Sequence, residues 1–247
     1  NLDVKSGISD NYVRSVLRDQ YGFMWFATLN GLNRYDGYQF KKYTTTQLGA
    51  YNNDIESIAE DAAGNIWIKG PVSYYIYDRE QDKLENKIQP VLNKYGITGE
   101  VSYLTVDKDY NLWCTVMDTL FHYDFAKSKL HTFQLPGKEK MQQVVCRRSC
   151  AYLLFSNGEI ARIDSNFQHI RPETRRTISS GLQYNLYIDT VDRLWFYASH
   201  ASGLQCYDTN QKQWIDYVGR QEVTDALITA VMDDGDGNLW IGTDDKG

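Results

Sequence analysis

Apolar residues along this chain come in short runs, many of them alternating with polar ones, set off by Gly, Asn and Asp. Residues 12 to 43 read "YVRSVLRD", "FMWFAT", "LNRYD" and "YQFKKY", four such runs in succession. Runs of this length bounded by turn residues predict four antiparallel strands. No segment keeps the three-and-four spacing of an amphipathic helix over a convincing length, which disfavours a fold of alternating strands and helices. The phrase then returns. Trp25, Trp67, Trp113, Trp195 and Trp240 recur at intervals of about 42–46 residues with one double interval, in which Leu154 holds the place of the missing indole. Six residues before each Trp stands an acid, namely Asp19, Asp61, Asp107, Asp189 and Asp234, with Arg148 in that place in the fourth copy. Downstream, "LNRYD", "YYIYD", "LFHYD", "IARID" and "LQCYD" end on Asp36, Asp78, Asp124, Asp164 and Asp208.

A four-stranded unit repeated at this period is the blade of a β-propeller. The expectation is an all-β chain of four-stranded antiparallel blades, five complete repeats and the first half of a sixth. The blades fall at about 10–45, 52–88, 99–135, 140–172, 182–218 and, partially, 226–247. They form a single truncated propeller over 1–247, and residues 1–5, with Leu2 and Val4 alternating, read as an outer strand of a last blade. A lone four-stranded sheet cannot bury both faces, so each must lay large side chains against the next. The five tryptophans are therefore expected as inter-blade wedges. The acids before them are expected to accept backbone amides in the turns, where Gly64 and Gly237 take a positive φ. Tyr110 and Asp192 stand where that glycine would be in repeats three and five.

The pattern also places candidate binding residues. Eleven positions before each Trp, or its substitute, lie Arg14, Glu56, Ser102, Gln143, Tyr184 and Thr229, all polar. Two residues on come Val16, Ile58, Leu104, Val145, Leu186 and Val231, which suggests one ring facing a central channel and another packed between blades. A solvated wall is the plain reading of the polar ring. A sugar-binding ring is the sharper one, because hydroxyl-rich ligands need fixed polar partners. The loops between second and third strands and the inter-blade connections are expected on one face, carrying Asn30, Tyr51, Asn52, Tyr95, Asp118, Arg175, Arg176, His200 and Asp244. Of these, Tyr51, Asp118, Arg175 and His200 join the six ring residues as ligand-binding candidates.

Catalysis finds less support. Glu56 is the one carboxylate among the six ring positions, which argues against a two-carboxylate glycosidase site there. Neither a GxSxG elbow nor a GxxxxGK[ST] loop occurs. "DDGDGNLW" imitates a calcium loop, but Leu239 replaces the required Gly and no Glu follows, so no metal and no cofactor are expected. His122 and His131 are read as strand-surface residues. Cys114, Cys146, Cys150 and Cys206 are too irregularly placed for a disulfide framework or a zinc site. A formal charge of −6 and a pI near 5.2 give no footprint for a nucleic acid partner. No apolar stretch is long enough for direct membrane insertion, and the first residues hold no signal-peptide core.

The wording resembles a known family. "ISDNYVRSVLRDQYGFMWFATLNGLNRYDGYQFKKY" (8–43) is similar to the two-component regulator propeller repeat, and "LITAVMDDGDGNLWIGTDDKG" (227–247) resembles the first half of another copy. The resemblance is strong in repeats one and six, fair in two, three and five, and poor in four. It implies the periplasmic part of a bacterial hybrid two-component histidine kinase, with this chain forming most of a seven-bladed ring. An oligosaccharide ligand, control of glycan-utilisation genes and contacts with an adjacent propeller and further sensor domains follow from it, with no enzyme activity in this region. The alternatives are a protein-interaction scaffold, including a homodimer, and, less favoured, a propeller glycoside hydrolase or lyase.

Overall fold

The structure, a computed structural model, describes residues 3–147, 150–164, 166–179, 181–215 and 226–244. Arg148 and Leu2 lie outside the described residues. The chain divides into two compact units, Asn1–Thr132 and Phe133–Gly247.

In the first unit, sheet one is built from β1 (Val13–Arg18), β2 (Met24–Thr28), β3 (Gly31–Tyr35) and β4 (Phe40–Tyr43). Sheet two holds β5 (Ser57–Glu60), β6 (Ile66–Lys69), β7 (Tyr74–Asp78) and β8 (Lys83–Glu85). A short helix, α1 (Gln89–Lys94), leads into sheet three, with β9 (Val101–Val106), β10 (Leu112–Val116), β11 (Thr119–Asp124) and β12 (Lys129–Gln134). The second unit continues with sheet four, from β13 (Met141–Arg147), β14 (Cys150–Phe155), β15 (Glu159–Ile163) and β16 (Ile170–Arg175). Sheet five follows, from β17 (Tyr184–Ile188), β18 (Arg193–Ala198), β19 (Leu204–Asp208) and β20 (Gln213–Ile215), and then the two-stranded sheet six, from β21 (Ile228–Asp233) and β22 (Leu239–Thr243). Every sheet is an antiparallel meander in chain order. This is the β-propeller architecture.

Within each unit consecutive sheets share an apolar layer. Trp25, Leu32 and Tyr43 of sheet one pack with Ile58, Ile68, Tyr75 and Tyr77 of sheet two. Trp67 and Ile76 of sheet two meet Leu104, Leu112 and Cys114 of sheet three, with Val91 and Leu92 of α1 between. In the second unit Tyr152 and Leu154 join Leu186 and Phe196, and Trp195 and Cys206 join Ile228 and Val231. Trp25, Trp67, Trp113 and Trp195 are all at most 2% exposed. Burying an indole of this kind stabilises by about 4–6 kcal/mol on area grounds.

Trp240 departs from the wedge expectation. It is 62% exposed, because sheet six has only two strands among the described residues and nothing described covers that face.

The spacing between acid and indole has a chemical cause that the sequence alone did not reveal. Asp61 Oδ1 accepts the amides of Ala63 (2.9 Å) and Asn65 (3.0 Å), while Oδ2 accepts the Trp67 indole N–H at 2.7 Å. The same three bonds recur at Asp19, Asp107, Asp189 and Asp234, with indole distances of 2.8, 2.8, 2.8 and 3.2 Å. One carboxylate thus closes the turn and satisfies the only polar atom of the buried ring. Gly64 and Gly237 sit at φ 82° and 98°, and Tyr110 and Asp192 adopt the same left-handed region at 62° and 65°. Turn geometry, then, overrides residue type in repeats three and five. Charges add a second tie between sheets one and two. Arg79 Nη2 donates to Asp19 at 2.5 Å, and Asp82 accepts from Tyr77, from Lys41 at 2.8 Å and from Arg34 at 3.1 Å.

Three further expectations are corrected. Val4–Ser6 form a 3-10 turn capped by Asp3, not a strand. The helix α1 went unseen because six residues are too few to show a period, although Pro90 suits its first turn. His122 is no surface residue: it is 2% exposed and stacks on Trp113 at 4.0 Å and 22°, and burial pulls its pKa down to about 4.

Candidate functional site

The first strand of each sheet begins at the end where the second-to-third turn and the inter-sheet connection also emerge. In the first unit β1 lies against β5, and β5 against β9; in the second, β13 lies against β17. These strand starts are irregular. Arg14, Ser102 and Thr229 are each the extra residue of a β-bulge, opposite the ends of β2, β10 and β22. Glu56 donates its amide to the Lys69 carbonyl at 2.8 Å although Ser57 already faces Lys69 in the register. In sheet four the extra residue is Gln142, and sheet five is regular. A bulge interrupts alternation and re-aims a side chain. The bulge does not decide burial two residues on: Val16, expected between blades, is 53% exposed, whereas Leu104 and Val231, which follow the same bulge, are 6% and 7% exposed.

In the first unit the polar candidates are held in pairs. Arg14 Nη2 meets Asp54 Oδ2 at 3.2 Å, Lys69 Nζ meets Glu56 Oε2 at 2.8 Å, and the hydroxyls of Ser102 and Thr115 lie 2.8 Å apart. Each salt-bridged side chain keeps between a fifth and two-fifths of its surface in solvent, so these are modest ion pairs that fix orientation and remain accessible. Asp54 Oδ1 is buried without a hydrogen-bond partner. The same connection carries Asn53, which takes the Thr46 amide at 2.9 Å and donates to Asn30 at 3.3 Å, and Tyr51, which is 99% exposed. Asp118 sits exposed on the β10–β11 turn. Asp54, Lys69 and Thr115 were not among the sequence candidates. Lys69 and Thr115 face their partners only through strand pairing, and Asp54 lies in a connection with no period to mark it.

The second unit treats the equivalent positions differently. Gln143 accepts the Leu186 amide at 2.7 Å and donates to the Leu186 carbonyl at 3.1 Å, so its side chain splints sheet four to sheet five. Tyr184 stacks on Phe196 at 5.0 Å and accepts the Ser179 amide at 2.9 Å. Thr229 Oγ1 lies close over Gly242, where an added Cβ would stand 3.0 Å away. His200, at φ 55°, bonds through Nδ1 to Asp244, joining the β18–β19 turn to the end of β22. Arg175 closes β16 as an exposed residue opposite Glu159. Tyr95 does not belong at this end. It follows α1 and packs on Tyr123 and Phe125 beside Asp78 and Arg79, at the opposite end of sheet two.

The described residues include no cluster of three or more His, Cys, Asp or Glu able to hold a metal ion. In the first unit the loop end presents fixed donors and acceptors, and the connection that carries Asp54 also carries the exposed ring of Tyr51, an arrangement suited to holding a polar ligand. Among the described residues, no helix is long and apolar enough to cross a membrane.

Residues 7–30 and 223–245 match the family model described as two component regulator propeller. No curated protein matches the chain in sequence. Among solved structures, the chain is similar to one described as the extracellular domain of a hybrid two component system of B. thetaiotaomicron, at 21% identity and TM-score 0.66, over 98% of this chain and 34% of that one. A second such domain gives 21% and 0.64, over 94% and 30%. The chain therefore spans about a third of the length of these structures. Virginiamycin B lyase from Staphylococcus aureus is also similar, at 13% identity and TM-score 0.61, over 94% of this chain and 78% of the lyase. At these identities the likeness carries the fold, which enzymes and sensor domains share. The two matched segments, at residues 7–30 and 223–245, are thus similar to the two component regulator propeller repeat.

Proposed function

We propose that this chain is a ligand-sensing propeller of the periplasmic part of a hybrid two-component sensor, non-catalytic itself, and that its first unit binds an oligosaccharide at the loop end. The carrying observation is the set of paired polar groups, Arg14 with Asp54, Glu56 with Lys69 and Ser102 with Thr115, together with the exposed ring of Tyr51 on the connection that carries Asp54. Paired charges hold their hydrogen-bonding atoms in place, so a hydroxyl-rich ligand meets fixed partners. Its effect on a histidine kinase controlling glycan-utilisation genes would come from binding one arrangement of the sensor more tightly than another. Isothermal titration against a panel of bacterial and plant oligosaccharides tests this. One glycan should give heat, and Glu56→Gln with Tyr51→Ala should weaken it by about tenfold or more. Absence of heat with the whole panel, for this chain and for the longer protein, overturns the reading.

A scaffold reading rests on a different observation. The turn tips of the first unit carry Leu29, Val72 and Met117 at 39%, 90% and 89% exposure, which favours docking of an adjacent protein domain or a second copy. Light scattering that shows a dimer abolished by Val72→Asp with Met117→Asp would favour it over sugar binding.

A further inference from the structure

The connection between sheets two and three contains the one α-helix among the described residues, and α1 helps to wall a cavity of about 300 Å³ at the end of sheet two opposite the candidate site. Its volume falls at the small end of the range for small-molecule pockets, roughly 300–1,000 Å³. Repeat proteins commonly place function where one repeat departs from the rest. The cavity lies wholly within the first unit.

Its walls are aromatic and its charges are unevenly answered. Tyr21 lies under the Arg79 guanidinium, 4.6 Å from ring centre to carbon. Tyr95 is braced by Tyr123 and Phe125 at 4.7 and 5.1 Å. Arg79 is already engaged, since it donates to Asp19 at 2.5 Å and to the Gly64 carbonyl at 3.0 Å. Asp78, 7% exposed, accepts the Gln81 amide at 3.0 Å on Oδ1, and Oδ2 takes no hydrogen bond. Glu80 stands exposed on the same turn, and Lys94 is exposed on the last turn of α1. Two carboxylates thus face one unengaged ammonium. The Tyr95 phenol is pushed up, first by burial and then by the charges of Asp61, Tyr123 and Asp78, as a negative local field requires.

We propose that this cavity is a second ligand site, which takes a compact molecule bearing an ammonium group and of about amino-acid size. Asp78 and Glu80 would accept from the ammonium, the faces of Tyr21 and Tyr95 would attract it, and Lys94 would meet a ligand carboxylate where there is one. This inference does not depend on sugar sensing, because none of these residues belongs to the loop end.

The test is isothermal titration of the whole chain with 1,5-diaminopentane, with L-lysine and with glucose as a neutral control of hydroxyl groups alone. Both amines should bind and glucose should not. Asp78→Asn keeps the acceptor for the Gln81 amide and should weaken amine binding by about tenfold or more. Glu80→Gln, an exposed change that leaves the fold intact, should weaken it by a smaller factor, and raised salt should weaken it further. Failure of both amines to bind, equal binding of glucose, or amine binding unchanged in both variants would overturn the proposal.

Discussion

Trp67 and Trp240 occupy the same place in the same phrase, yet one is 2% exposed and the other 62%. Both indoles donate to the acid six residues earlier, at 2.7 Å to Asp61 and 3.2 Å to Asp234. The local bond therefore forms whether or not the ring is covered. Burial is supplied from outside the hairpin, by α1 and sheet three for Trp67. The comparison separates two energies that the repeat merges: closing a turn, which sequence encodes within seven residues, and burying a ring, which depends on the neighbour.

The sharpest way to break this separation is truncation of the two rings. Trp67→Ala should cost about 3–5 kcal/mol in urea unfolding, and Trp240→Ala no more than about 0.5 kcal/mol. Equal losses would show that Trp240 is covered in solution.

A smaller contrast is expected from the acids. Asp61→Ala leaves the Trp67 N–H and two turn amides without their acceptor in a buried setting, and should cost about 2–3 kcal/mol. Asp234→Ala lies in solvent, where water replaces the lost bonds, and its unfolding midpoint should stay close to that of the unsubstituted chain. The same urea curves decide it.

The smallest effect is in pH, and sheets one and two differ in sign. Burial raises the Asp61 pKa, and hydrogen bonds from Trp67, Asn65 and Ala63 do not fully offset that. Burial also acts on Asp19, but bonds from Trp25 and Arg79 outweigh it and the pKa falls. A lowered folded pKa means that the Asp19 contribution is present above the unfolded value near 3.8 and is lost as pH drops through the folded one. A raised one means that Asp61 binds its proton more tightly folded than unfolded, so its contribution declines as pH rises from about 3.8 to its folded pKa. Asp19→Asn should flatten the acid limb of a stability profile below pH 4, and Asp61→Asn should remove the opposing slope above it. Identical profiles for the two variants would refute the opposite signs given to Asp19 and Asp61.

The strands were legible because their period is two and their turns carry Gly, Asn and Asp, and the blade because those turns return with Trp25, Trp67, Trp113, Trp195 and Trp240. Less could be read where a side chain's surroundings come from another sheet. His122 looked like a strand-surface residue since nothing near it in sequence foretells a stack on Trp113. Gln143 looked like a channel residue, although its amide is engaged by Leu186 across a sheet boundary. The bulges at Arg14, Ser102 and Thr229 escaped detection because an extra residue in a strand changes register without changing composition. Asp54 and the cavity beside α1 were likewise invisible, since irregular connections have no periodic signal, and Lys69 was missed because only the pairing of β5 with β6 brings it to Glu56.

The carboxylate clamp on each indole spans only six residues, from Asp19 to Trp25 or Asp61 to Trp67. A contact of such low order needs little chain entropy to close, so a nascent hairpin emerging from the ribosome can set its own turn before its neighbour has been synthesised. Docking of sheet against sheet then becomes the late, cooperative step. Pulsed hydrogen exchange should find the Ala63 and Asn65 amides protected ahead of the strands that cover Trp67.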